Sequence, residues 1–107
     1  MKTWKASASD KTWEYVEEYL RHEAGNASEE EGAVLWALAE KIKTARRAAK
    51  YRGRIKVDVT GEEASEAAYW LPDADVVVIP GDPDSAPRGF MGLYNWMHRV
   101  SWKRPRE

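Results

Sequence analysis

At 107 residues the chain has room for one domain and no more. It contains no cysteine, which excludes disulfides, thiolate metal sites and a cysteine nucleophile. Its net charge of -1 excludes a whole-molecule attraction to DNA or to anionic membranes, and 33% charged with 43% hydrophobic residues is the balance of a folded domain.

Thr3 to Ala8 reads as a short edge strand. A first helix starts at Ser9 or Asp10, either of which can cap it. Trp13, Val16, Leu20 and Ala24 recur on one face at helical spacing. Gly25-Asn26 then supplies a left-handed residue to stop it.

A second helix opens on Ser28 and Glu31, the spacing of a capping box. Leu35, Leu38, Ile42, Ala45 and Ala49 form its apolar stripe, widened by Val34, and Gly53 ends it. In Arg54 to Thr60, Ile55, Val57 and Val59 alternate with Lys56 and Asp58, the pattern of a strand with one buried face.

Thr60-Gly-Glu-Glu63 is a second capping box, opening a short helix with Ala64, Ala67, Ala68 and Leu71 inward, stopped at Pro72-Asp73. Val76 to Ile79 is an unbroken β-branched run, the pattern of a strand covered on both faces. Strand, helix and strand then make a right-handed βαβ unit. Pro80 to Gly89 is a loop. A last helix from near Arg88 carries Phe90, Leu93, Met97 and Val100 on one side.

The expected fold is therefore α/β, with α+β as its variant. It combines a helical hairpin with a βαβ unit, a sheet of two or three strands beneath about four helices. Residues 1–101 form the domain and 102–107 a basic tail.

Charge is arranged in blocks. Residues 41–56 hold eight basic side chains and no acid, while 57–87 hold eight acids and no base. Solvated helix faces and helix dipoles account for much of this. The sharper alternative is a nucleic-acid surface of Arg46, Arg47, Lys50, Arg52 and Arg54, joined by the tail, since phosphate contacts need clustered cations.

Chemistry is sparse. His22 and His98 lack metal-ligand spacing, and Ser85 sits in no nucleophile elbow. Asp73, Asp75, Asp82 and Asp84 are ordinary turn residues. We expect no catalytic residue, no metal site and no cofactor. If a small-molecule site exists, its place is the 81–89 loop, after the C-terminal end of the expected strand.

Aromatic side chains are in surplus, with 6 Trp and 5 Tyr. One row per helix cannot bury them all. Tyr15 and Tyr19 make a second stripe on the first helix, Trp36 lies opposite the core stripe of the second, and Tyr69 and Trp70 fall away from the alanine face. Tyr and Trp anchor protein interfaces. The expectation is thus a non-enzymatic accessory protein that binds another protein, or a second copy of itself, through Tyr15, Tyr19, Trp36 and Trp70.

The N-terminus lacks the apolar core of a signal peptide, and no apolar run is long enough to span a bilayer. This points to the cytoplasm and to no membrane partner. The usage, rich in Ala, Glu, Asp, Arg, Val and Trp, resembles that of short accessory proteins of actinobacteria and their phages. The resemblance is one of style and carries no motif. It implies a host-interacting or phage-encoded factor in the cytoplasm, including that of an infected cell.

Overall fold

The computed structural model describes residues 2–49 and 53–102, Trp102 by its backbone alone. Lys50, Tyr51, Arg52 and residues 103–107, with most of the expected basic tail, lie outside the described residues. In chain order the elements are β1 (Thr3–Ser9), α1 (Asp10–Ala24), α2 (Glu29–Ala48), β2 (Arg54–Thr60), α3 (Gly61–Trp70), α4 (Ala74–Val77) and α5 (Gly89–Trp102). The α/β class, the helical hairpin and a small sheet are all present.

The sheet is the antiparallel pair β1-β2, in a register that sets Thr3 beside Thr60, Lys5 beside Asp58, Ser7 beside Lys56 and Ser9 beside Arg54. Those residues form its outer face. The alternate positions Ala6, Ala8, Ile55, Val57 and Val59 are buried, as a two-residue side-chain period requires. Beneath them lie Trp13, Val16 and Leu20 of α1, Leu35, Leu38 and Ile42 of α2, the alanines of α3, and Phe90, Leu93, Met97 and Val100 of α5. Trp13 ties α1 to the sheet by more than contact, for its Nε1 donates to the Ile55 carbonyl at 2.8 Å.

Helix starts follow the expected caps. The Ser9 hydroxyl accepts from the Thr12 amide and the Ser28 hydroxyl from the Glu31 amide. At Thr60 the capping box closes in both directions: Glu63 N donates to Thr60 Oγ1 at 3.1 Å and Thr60 N to Glu63 Oε1 at 2.9 Å. At Ser28 the return half differs, because the Ser28 hydroxyl donates to the Glu31 carboxylate at 2.7 Å.

Two helix stops differ from expectation. Gly25 is right-handed, with φ -72°, and donates back to His22 and Glu23. Its backbone tightens the last turn and needs no left-handed residue. The glycine that the hairpin does require is Gly32, where a Cβ would stand 2.8 Å from the Ala24 carbonyl oxygen. The second helix ends at Ala48, ahead of Gly53.

The larger correction concerns residues 76–79. Among the described residues the sheet has only the two strands β1 and β2, and so the expected βαβ unit does not form. Asp73, expected only to stop α3, instead caps α4 by accepting from the Asp75 amide at 2.9 Å. The segment then runs extended, and the following loop supplies its partners. Ala86 N donates to the Val77 carbonyl and Ile79 N to the Ser85 hydroxyl, at 2.9 and 2.7 Å. With its backbone groups met locally, the run has no need of a sheet.

Candidate protein-binding surface

The four aromatic candidates fall into three settings. Tyr15 and Tyr19, one turn apart on α1, have ring centroids 6.1 Å apart. Tyr15 meets the buried Phe90 edge-on at 5.0 Å, and the row continues through Tyr94 to His98 on α5. Both tyrosines are partly buried. Burial, then the neighbouring Tyr19, pushes the Tyr15 phenol above its ordinary value. The second stripe of α1 thus packs against α5, and what these rings present outward is a rim.

Trp36 is on the outer seam of the hairpin and is 49% exposed. The guanidinium of Arg21 covers one side of its ring at 4.5 Å, a cation–π arrangement. Arg21 is itself held by Glu17 and Glu40 at 3.1 and 3.2 Å. About half of the side chain therefore remains open to solvent.

Trp70 ends α3, half-buried, with Tyr69 edge-on at 5.3 Å. Its Nε1 is buried and finds no acceptor among the described residues. Tyr69 is 76% exposed. Val76 and Ile79, freed from the expected strand, are 68% and 47% exposed. Tyr69 was legible in its angle on α3. Val76 and Ile79 were hidden, because a run read as a doubly covered strand places them inside.

The basic candidates among the described residues, Arg46, Arg47 and Arg54, fall in different settings, while Lys50 and Arg52 lie outside those residues. Arg46 is spent within the fold: it meets Asp10 at 2.8 Å, Glu14 at 3.0 Å and Glu17 at 3.2 Å, clamping α2 onto α1. These bonds raise its pKa, the hydrogen bond to Asp10 most of all, and the same bond lowers the Asp10 carboxyl against a small opposing effect of burial. Arg54 donates to the Ser7 hydroxyl and carbonyl at 3.0 and 2.6 Å. Arg47 is exposed.

Arg46→Ala should cost about 1 kcal/mol near neutral pH, since two of its three partners, Asp10 and Glu14, are more than half exposed and such pairs contribute little. A carboxyl depressed in the folded state stabilises above its unfolded value, about 3.9, and that stability is lost as pH falls through the folded value. The gap between the parent protein and Arg46→Ala should therefore hold from pH 7 to about 5 and narrow below about 4. Urea unfolding at pH 7 and pH 3 checks this, and an undiminished gap at pH 3 would contradict it.

The loop proposed for a small ligand forms a cleft of about 210 Å³ lined by Val78, Ile79, Pro80, Gly81, Asp82, Ser85, Ala86 and Arg88. Its polar groups serve the loop. The Ser85 hydroxyl accepts from Ile79 N and lies 2.9 Å from the Ala86 carbonyl, while Asp82 accepts from Asp84 N at 2.8 Å. No group of three His, Asp or Glu that could hold a metal occurs among the described residues. No helix among them is long and apolar enough to cross a membrane. No family model matches the sequence, no curated protein matches it, and no solved structure matches it.

Proposed function

We propose that this chain is a non-enzymatic accessory protein that works by binding another protein through the α3–α4 side of the fold. One observation carries the reading. Of the four large hydrophobic side chains exposed among the described residues, three, Tyr69, Val76 and Ile79, come from the stretch 69–79, and the fourth is Trp36. Water-exposed apolar groups concentrated in this way favour a partner that covers them. Tyr69, exposed, and Trp70, half-buried beside it, supply the aromatic anchors. Of the four aromatic positions singled out in the sequence, Trp70 adjoins Tyr69 in this stretch, Trp36 lies apart from it on α2, and Tyr15 packs edge-on against Phe90 of α5 beside Tyr19. The composition is the ground for placing the partner in an actinobacterial or phage-infected cytoplasm.

A photo-crosslinking residue at position 69 or 76 should yield a discrete product in lysate of the source cells. The same residue at Glu18, exposed on α1, should not. Equal products from both positions would sink the proposal. A product of twice the chain mass in purified protein would make the partner a second copy. Tyr69→Ala should weaken the captured complex at least about tenfold while moving stability by less than about 0.5 kcal/mol.

A further inference from the structure

The outer face of the sheet has a composition opposite to that of the α3–α4 side. Every side chain on it carries hydrogen-bonding atoms: Lys5, Arg54 and Lys56 are cations, Asp58 is an anion, and four hydroxyls complete it. A protein interface needs apolar or aromatic anchors at its centre, and this face has none. We infer that it binds double-stranded DNA as a two-stranded ribbon lying in the major groove.

Size fits the groove. Two strands stand about 4.8 Å apart, and a major groove about 12 Å wide admits such a ribbon. Charge fits as well. The acids nearest the Ser9 end of the ribbon, Asp10 and Glu14, are both engaged by Arg46. Glu63, near the Thr60 end, turns inward to Lys41. These pairings offset part of the acid charge at the two ends of the ribbon, while Glu62, exposed beside Thr60, still opposes a phosphate backbone. Arg54 is already held in place by its two bonds to Ser7, so little further side-chain ordering is needed on binding. Asp58 opposes the phosphates but can accept from a cytosine amino group, which makes it the residue best placed to read sequence.

The test is fluorescence anisotropy of a labelled mixed-sequence DNA duplex with the full chain at about 50 mM salt, where phosphate contacts are strongest. Binding should weaken steeply with added salt. Lys56→Glu should weaken it about fivefold or more, and Asp58→Asn should tighten it about threefold, while Arg99→Glu, the same kind of charge change outside the ribbon, should shift it less than twofold. An RNA duplex of the same sequence should bind at least about fivefold more weakly, because its major groove is too narrow for side chains to read. Failure of both the parent chain and Asp58→Asn to bind DNA would overturn the inference. So would equal affinity for the RNA duplex, or equal losses in Lys56→Glu and Arg99→Glu. The gain expected of Asp58→Asn keeps the test decisive if Lys56→Glu folds poorly.

Discussion

Trp13→Ala should cost about 3–5 kcal/mol, the range for emptying a buried aromatic site. A domain of this size has in total about 5–15 kcal/mol to lose. At roughly 4–8 °C per kcal/mol the melting temperature should fall by tens of degrees, and the variant should be close to unfolded at 37 °C. Trp13 is fully buried, with the sheet above and the other helices around it. It also donates to the Ile55 carbonyl. Trp13→Phe separates the two roles. It keeps most of the ring and leaves that carbonyl without its indole partner, for an expected loss of about 1–3 kcal/mol. Urea and thermal unfolding followed by far-UV circular dichroism measure both variants. A Phe variant as stable as the parent chain would show that the hydrogen bond contributes nothing.

The second large effect is expected at Glu63. This carboxylate is 6% exposed and has two tasks at one junction. It accepts from the Thr60 amide, which closes the capping box of α3, and it takes the Lys41 ammonium of α2, which also donates to the Asp58 carbonyl at 2.8 Å. Glu63→Ala removes the cap, for about 1 kcal/mol. It also strands a lysine that is 37% exposed, so the cost of that orphaned charge is well below the fully buried case. The sum should be about 2–3 kcal/mol. Glu63→Gln keeps an acceptor for Thr60 N but not the charge, and should recover about half of the loss. Lys41→Met in the Glu63→Ala background should recover part of the rest, because the cation no longer needs an acid. If Glu63→Ala alone lost less than about 0.5 kcal/mol, Lys41 and the cap would have to be independent of it.

Much of this fold could be read from periodicity, because its helices are amphipathic and β2 alternates strictly. The Thr60 box is visible in four letters and forms as read. What periodicity could not give was the fate of Val76–Ile79. β-branched residues favour a strand only where a neighbouring strand offers hydrogen bonds. Here Asp73 captures the start of the segment for a helical turn, and Ser85 and Ala86 occupy its later amides and carbonyls. Asp73 carried the signal, since Asp after Pro begins a helix as readily as it follows one. The aromatic surplus was legible in the same partial way. Helical angles set Tyr15 and Tyr19 off the core stripe of α1, but nothing local says that α5 arrives to cover them. The basic run 41–56 was legible only in part, for a related reason. Sequence neighbours shared a charge, yet Arg46 found its partners on α1, a helix earlier in the chain.

The placement of the strands has a consequence for how the chain reaches its native state. β1 and β2 pair residue for residue, yet both helices of the hairpin lie between them. A free chain would have to close that long loop at an entropic cost before the first strand bond formed. The α1–α2 hairpin removes most of the search, because two antiparallel helices return the chain to where it began. Arg46, reaching from the last turn of α2 to the first turn of α1, fastens that return at the end from which both strands emerge. A hairpin formed first would thus shorten the search for the sheet, and the paired strands in turn hold the two ends of the hairpin together.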